Sequence, residues 1–137
     1  MAGSLGALRE SETARMLAAC SRCGACFDAC PMLPWASDVA GAGGPDVVGG
    51  VLEVLTGGEG SAASRGWIAA CTRSGICTPA CPEGLDAAFM LRLAQWRAKG
   101  ALGTPPLIPV REDTQYSPKV KAFARLTLTE EEQSRWL

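Results

Sequence analysis

The residues best suited to chemistry in this sequence are four closely spaced cysteines followed by a proline. The run extends from Cys20 to Pro31 and is C-S-R-C-G-A-C-F-D-A-C-P. Its spacing, C-x2-C-x2-C-x3-C-P, suits iron–sulfur ligation, because one tight loop can present three thiolates to the irons of a cube while the fourth thiolate points away. Gly24 lets the backbone approach the inorganic sulfides without an intervening side chain. The run therefore predicts an iron–sulfur site.

The same pattern returns 51 residues further along the chain with one change. The second run extends from Cys71 to Pro82 and is C-T-R-S-G-I-C-T-P-A-C-P. Its arginine, glycine and proline keep their places, but Ser74 stands where the first run has Cys23. Such an internal repeat predicts two similar sites related by a pseudo-two-fold axis.

The seven cysteines can be divided between the two sites by a rule. In ferredoxins with two clusters, the fourth cysteine of each run binds the cluster of the other run. The rule assigns a first, [4Fe–4S] cluster to Cys20, Cys23, Cys26 and Cys81. It leaves the second cluster three thiolates and a serine: Cys30, Cys71, Cys77 and Ser74. Three thiolates favour [3Fe–4S], and a four-iron cluster with an oxygen or an outside ligand is the alternative.

Zinc and disulfides are the other common uses of so many cysteines. Zinc sites often include histidine, and the chain has none. The first ten residues, M-A-G-S-L-G-A-L-R-E, lack the layout of a signal peptide. We therefore expect a reducing, cytoplasmic location, in which cysteines bind metals rather than form disulfides.

Length, charge and hydrophobicity narrow the remaining possibilities. The chain has 137 residues, a formal net charge of −1 and 16 glycines. One domain with a modest core fits this length, and bound clusters would cross-link it. The charge argues against nucleic-acid binding. No stretch approaches the ~20 apolar residues that a membrane-spanning helix needs.

Helices must position the two runs, because no stretch alternates in the manner of a strand. We expect a flexible N-terminus over residues 1–10, followed by a short helix that Ser11 caps and that extends to Cys20. Three further helices are predicted: Val47 to Leu55, Ser64 to Ala70 and Leu85 to Lys99. The apolar stripe of the last consists of Leu85, Phe89, Leu93 and Trp96.

The tail, residues 101–137, is expected to form an extended arm because it is rich in proline near its start. Lys119 to Leu126 are expected to form a helical turn or two. Thr129 and Glu132 have the spacing of a capping box and predict a final short helix that ends at Trp136. Leu107 and Ile108 have no core of their own to join. We therefore expect the arm to lie on a partner subunit.

The two runs, separated by helices, resemble the α-helical ferredoxin family over residues 11–100. This fold forms the C-terminal half of the iron–sulfur subunits of succinate dehydrogenase and fumarate reductase, and most of the small iron–sulfur subunit of heterodisulfide reductase. The second run, C-x5-C-x3-C-P, is similar to the one that holds [3Fe–4S] in the succinate dehydrogenase subunits. The heterodisulfide reductase subunit has two complete runs, so Ser74 departs from it. In length and layout, without an N-terminal [2Fe–2S] domain, the chain is nonetheless more similar to the heterodisulfide reductase subunit.

The resemblance implies an all-α fold, an α-helical ferredoxin with two cysteine-loop sites, and a role in electron transfer. Such subunits are not catalytic on their own. They pass single electrons between a flavin-containing dehydrogenase subunit and a redox subunit with cysteine-rich CCG domains. We therefore expect a hetero-oligomer of an oxidoreductase, with no nucleic acid and no membrane span. The alternative is a sensor or regulatory protein whose incomplete second cluster binds a ligand at an open iron.

Overall fold

Helices make up all the regular structure in the part of the chain described by a computed structural model, which covers residues 4–101, 105–113 and 116–136. The α-helices are α1 (Leu5–Ala19), α2 (Ala25–Asp28), α3 (Gly44–Leu55), α4 (Ala62–Ala70), α5 (Ala87–Ala98), α6 (Tyr116–Thr127) and α7 (Glu130–Trp136). Three 3₁₀ turns are η1 (Leu33–Trp35), η2 (Thr78–Ala80) and η3 (Val110–Glu112). Over these ranges the all-α expectation is confirmed, and none of the helices combines the length and hydrophobicity that a membrane span requires.

Helix α3 is the centre of the core and packs against α1, α2, α4 and α5. It is apolar on most of its surface, which is the pattern of a buried helix. Its buried side chains are Val47, Val48, Val51, Leu52, Val54 and Leu55. Pro45 occupies the first turn, where a missing N–H breaks no helical hydrogen bond. The predicted helix is therefore confirmed, and it begins three residues earlier than expected.

Helices α3 and α4 approach each other closely at a glycine. A Cβ atom added to Gly50 would lie 2.5 Å from the Oγ atom of Ser64. The Ser64 hydroxyl also accepts a hydrogen bond from the N–H of Ser61 at 2.8 Å, and the Ser61 hydroxyl accepts one from the N–H of Ser64 at 3.1 Å. This capping box begins α4 at Ala62. The glycine that weakens the helical pattern of α3 is thus required for helix packing.

The N-terminus differs from the sequence-based expectation. Residues 1–10 are expected to be flexible, but α1 begins at Leu5 with Ser4 as its N-cap, whose hydroxyl accepts from the N–H of Ala7 at 3.1 Å. Ser11 does not cap a helix, because its hydroxyl donates to the carbonyl oxygen of Leu8 within α1. The expectation overlooks Ser4, an equally good capping residue that precedes residues favourable for a helix.

The tail is also less extended than its proline content suggests. The N–H groups of Leu107 and Ile108 both donate to the carbonyl oxygen of Ala98, at 2.7 and 3.0 Å, and both side chains pack against the core. The prediction that these two residues have no core to join is therefore wrong. Helix α6 begins at Tyr116, and Pro118 fits because the first turn of a helix needs no N–H there.

The end of the tail follows the sequence pattern. The carboxylate of Glu132 accepts from the N–H of Thr129 at 2.9 Å, and the hydroxyl of Thr129 accepts from the N–H of Glu132 at 3.3 Å. The hydrogen bonds from Thr129 lower the pKa of Glu132. The predicted capping box is confirmed and begins α7 at Glu130.

Candidate metal centres

Each cysteine run begins at the C-terminal end of a helix, the first run after α1 and the second after α4. The N–H of Cys20 donates to the carbonyl oxygen of Met16 at 2.9 Å, and the N–H of Cys71 donates to that of Trp67 at 3.2 Å. The first pair closes α1 and the second closes α4. Because the two pairs are related by the same 51-residue interval as the runs, the repeat extends from the cysteine spacing into the backbone and the preceding helices.

The two loops also share an uncommon backbone conformation. Arg22 and Arg73 have φ angles of 57° and 62°, in the left-handed region that non-glycine residues rarely adopt. Gly24 and Gly75 follow with φ angles of 81° and 76°. Such turns direct backbone N–H groups inward and make concave anion-binding loops, which occur at many iron–sulfur sites. Both runs therefore fold in the same way.

One N–H group in each loop is directed at a cysteine sulfur. The backbone N–H of Arg22 donates to Sγ of Cys20 at 3.4 Å, and that of Arg73 donates to Sγ of Cys71 at 3.4 Å. A hydrogen bond to a thiolate favours its charged form, which is the form that binds metal. The arginines thus act at the loops through their backbone conformation.

The two loop glycines have different neighbours. A Cβ atom added to Gly24 would lie 2.7 Å from the carbonyl carbon of Gly44 and 2.8 Å from the nitrogen of Pro45, at the beginning of α3. A Cβ atom added to Gly75 would meet nothing within 4 Å. Glycine at position 24 therefore permits helix α3 to cover the first loop, whereas position 75 needs glycine only for its φ angle.

Cys26 and Cys77, the third positions of the two runs, are the most deeply buried thiols, each 8% exposed. Burial raises the pKa of Cys26 to about 12, and its neighbours Cys77, Cys20 and Cys23 raise it as well. Burial also raises the pKa of Cys77, with contributions from Cys71, Cys30 and Asp86. Each thiol thus stays protonated at neutral pH until a cation displaces the proton.

The second loop closes one side of a cleft that also includes a cysteine from the first loop. The residues that line this second-loop cleft include Cys30, Trp67, Cys71, Ser74 and Cys77. Three thiols and the serine assigned to the second cluster therefore share one cleft. In the ligand set assigned to the first cluster, Cys20 and Cys23 are among the groups that raise the pKa of Cys26. Cys81, the fourth member of that set, is not among them. Cys81 follows η2, which packs against α2. The two ligand sets stay predictions.

The seven cysteines are free thiols, and their donor chemistry fits iron–sulfur clusters. Within the described ranges, no three Cys, Asp or Glu side chains are close enough to hold a single metal ion. A tetrahedral zinc ion needs its sulfurs at about 2.3 Å from one centre. A cluster places several irons and sulfides between its thiolates, and the backbone N–H groups directed at Cys20 and Cys71 suit such a cluster.

Gln95 on α5 is a positioning residue that the sequence pattern did not reveal. Its Nε2 donates to the carbonyl oxygen of Ile68 at 2.9 Å and to that of Cys71 at 3.0 Å. Gln95 is 8% exposed. These two hydrogen bonds satisfy carbonyl groups at the end of α4 and fix the first residue of the second loop. The only signal in the sequence is an amide between the apolar residues Ala94 and Trp96.

Thr78 and Asp86 fix the other end of the second loop. The Thr78 hydroxyl donates to Oδ1 of Asp86 at 2.9 Å, and the same carboxylate oxygen accepts from the N–H of Phe89 at 3.0 Å. Asp86 is the N-cap of α5, which consequently begins at Ala87 rather than at Leu85. The buried face of α5 includes Met90, Leu91 and Ala94 beside the expected Leu93, while Phe89 and Trp96 are only half-buried.

Comparison with known proteins agrees with this geometry. Residues 19–86, about half of the chain, match the family model described as a 4Fe-4S dicluster domain. The matched segment contains both cysteine runs in full. No curated protein and no solved structure was found to match the chain. The match identifies residues 19–86 as a 4Fe–4S dicluster domain, an iron–sulfur domain of ferredoxin type with a role in electron transfer.

Proposed function

We propose that this chain is a non-catalytic electron-transfer subunit of a multisubunit, heterodisulfide reductase-like oxidoreductase of the cytoplasm. The observation that supports this function best is the position of Cys30. It belongs to the first loop but lines the second-loop cleft with Cys71 and Cys77. A thiol that reaches from one loop into the site of the other favours two clusters held side by side in one core, as an electron relay requires.

The second-loop cleft offers three thiols and one serine. In the proposal, Cys30, Cys71 and Cys77 hold a [3Fe–4S] cluster, and Cys20, Cys23, Cys26 and Cys81 hold a [4Fe–4S] cluster. When bound, each cluster accepts and donates one electron at a time. The described residues bury Cys26 and Cys77 and direct backbone N–H groups at the sulfurs of Cys20 and Cys71. These are the contributions by which a protein tunes cluster potential.

A flavin-containing subunit is the proposed electron donor. Most metabolic oxidations remove two electrons, so a group that converts between two-electron and one-electron steps must stand before the relay. The sequence has no G-x-G-x-x-G motif for binding a dinucleotide. The proposed acceptor is a second redox subunit of the CCG-domain type or another carrier. Ile76, beside Cys77, is 52% exposed, and Trp35 is 60% exposed, so apolar surface for docking lies next to both loops.

The test is an assay of the chain with and without a flavoprotein. The reconstituted chain is mixed with candidate substrates and an artificial acceptor, and bleaching of the visible cluster absorption is followed. We expect no substrate-dependent reduction alone and rapid reduction when a flavoprotein that co-purifies from the native source is added. The apo chain is the control. Substrate-dependent reduction of the isolated chain without any flavoprotein would refute the relay.

A sensor is the second candidate function, because Ser74, which stands where the first run has Cys23, lies at the surface. Ser74 is exposed although it also lines the second-loop cleft. If the second cluster is the four-iron alternative, a small ligand can therefore reach the iron at that corner. Titration of the reconstituted chain with imidazole separates the two functions. A saturable change in the EPR signal of the second cluster favours the sensor, and an unchanged signal favours the relay.

A further inference from the structure

The indole N–H of Trp67 is a buried donor without an acceptor. Trp67 lies within α4 and is 1% exposed, and its Nε1 atom has no hydrogen-bond partner among the described residues. A buried N–H group left unpaired is unfavourable, because the hydrogen bond to water that it loses on burial is not replaced. Buried tryptophans usually direct this group at a partner. An acceptor from outside the polypeptide would account for the unpaired donor.

Trp67 is among the residues that line the second-loop cleft, together with Cys30, Cys71 and Cys77. The rings of Trp67 and Phe27 form a T-shaped pair, with the centroids 5.3 Å apart and an angle of 85° between the planes. This packing fixes the ring within the core. None of the three cysteine sulfurs accepts a hydrogen bond from Nε1. A group held in the cleft beside these sulfurs would supply the missing acceptor.

The repeat offers no such donor at the first site. Residue 16 is equivalent to residue 67, since their carbonyl oxygens accept the N–H groups of Cys20 and Cys71. Met16 is fully buried but has no N–H in its side chain. The two sites thus differ in one buried hydrogen-bond donor as well as in Ser74.

We propose that the indole N–H of Trp67 donates a hydrogen bond to a sulfide of the second iron–sulfur cluster and raises its reduction potential. The inference rests on the proposed function, since it requires a cluster in the second-loop cleft. A hydrogen bond to a cluster sulfur stabilises the reduced state most, because that state has the extra electron and the more negative charge. The same bond satisfies the buried donor.

The first experiment is a redox titration of reconstituted Trp67→Phe, which removes the N–H and retains an aromatic ring. A net hydrogen bond is worth about 1 kcal/mol, so the equilibrium constant for reduction of the second cluster should fall about fivefold. That change is about 41 mV at about 59 mV per decade. The first cluster should keep its potential. Trp136→Phe is the matched control, because Trp136 is 72% exposed on α7 and lies outside the second-loop cleft.

The second experiment needs no substitution and remains decisive if Trp67→Phe fails to fold. ENDOR spectra of the second cluster in its paramagnetic state are recorded on wild-type protein with ¹⁵N-indole tryptophan. We expect an exchangeable proton and one ¹⁵N coupled to the cluster, with the ¹⁵N coupling absent in unlabelled protein. A loaded second cluster with no such coupling, or equal potential shifts at both clusters, would overturn the inference alone. Iron content for a single cluster would overturn the proposed pair of clusters as well.

Discussion

At the scale of single residues, Ser74 distinguishes the two loops most clearly. Its backbone neighbours Arg73 and Gly75 have the same left-handed conformation as Arg22 and Gly24. The loop is therefore shaped to present a fourth ligand, and only the side chain differs. Cys23 at the equivalent position is exposed, as Ser74 is. A thiol at position 74 would consequently occupy the place that Cys23 has in the first loop.

Ser74→Cys should therefore convert the second cluster into a [4Fe–4S] cluster with a lower potential. The physical reason is that the added thiolate binds a fourth iron and adds negative charge. Mössbauer and EPR spectra with iron analysis check the result. The matched control is Cys23→Ser, which should make the first site resemble the second. If Ser74→Cys leaves the cluster type and potential unchanged, the register of the two loops or the ligand assignment is wrong.

Gln95→Leu should weaken the second site by removing two hydrogen bonds at the end of α4. We expect the free energy of unfolding to fall by about 1–3 kcal/mol, because the carbonyl groups of Ile68 and Cys71 lose their donor. A chelator should then extract iron from the second cluster faster than from the first. Gln133→Leu is the control, since Gln133 on α7 donates one hydrogen bond to the carbonyl oxygen of Leu128, outside both cysteine loops. Equal rates of iron loss in both variants would contradict the positioning role.

The cysteine positions were predictable at this scale, because ligand spacing within one loop is a local property. Gln95 was not, since its two acceptors lie 27 and 24 residues earlier in the chain. The same holds for Asp86, whose role depends on Thr78 across the turn. Long-range hydrogen bonds to backbone carbonyls leave no periodic pattern in a sequence.

At the scale of elements, the two loops have the same backbone but different neighbours. Helix α3 covers the first loop at Gly24, where an added Cβ would lie 2.7 Å from the backbone of Gly44. The second loop has open space at Gly75. The repeat thus provides a matched pair of substitutions.

Gly24→Ala should damage the first site more than Gly75→Ala damages the second. Gly75→Ala should cost about 1–2 kcal/mol for the left-handed backbone alone. Gly24→Ala has the same cost and also displaces the beginning of α3. Thermal unfolding and iron content of the two variants provide the measurement. Comparable losses in both would show that α3 does not restrain the first loop.

The tail provides a second test at this scale. Lys99 on α5 forms an ion pair with the buried carboxylate of Asp113, at 2.7 Å, and Arg97 donates to the carbonyl oxygen of Pro105 at 3.1 Å. These contacts, with Leu107 and Ile108, attach residues 105–113 to the core.

A chain that ends after Asp113 should therefore keep its stability and both clusters. One that ends after Ala101 should lose about 2–4 kcal/mol, because Leu107 and Ile108 lose their packing and Lys99 loses its buried partner. Denaturant unfolding compares the two truncations. If both have the stability of the full chain, residues 105–113 do not stabilise the domain. The chain that ends after Asp113 lacks only α6 and α7 among the described helices, so its loss of partner binding would test whether these two helices bind a partner subunit.

Helix existence was better predicted than helix boundaries. The apolar residues of α3 and the capping pair of α7 are local signals, and both helices were expected. The beginning of α1 was missed because Ser4 and Ser11 are equally plausible caps. The docking of residues 105–113 was missed because it depends on the ion pair between α5 and Asp113, which proline content cannot indicate.

At the scale of the whole molecule, two repeated loops contribute to one core. Helices α1 and α4 each end at the first cysteine of a loop, and α3 packs against both helices. Gln95 of α5 and its N-cap Asp86 stabilise the second loop through hydrogen bonds. The sites are similar in backbone and differ in Ser74, in the glycine contacts and in the residue pair Met16 and Trp67. If the two clusters differ in type and reduction potential, electrons would pass preferentially from the cluster of lower potential to the cluster of higher potential.

The measurement that tests this account most directly is iron and sulfide analysis of the reconstituted chain, combined with EPR during a redox titration. The account predicts two clusters and about seven irons per chain. The oxidised protein should show the signal of a three-iron cluster, and the reduced protein that of a four-iron cluster at a lower potential. Stoichiometric zinc without visible charge-transfer absorption, or about four irons in one cluster with one potential, would contradict the account.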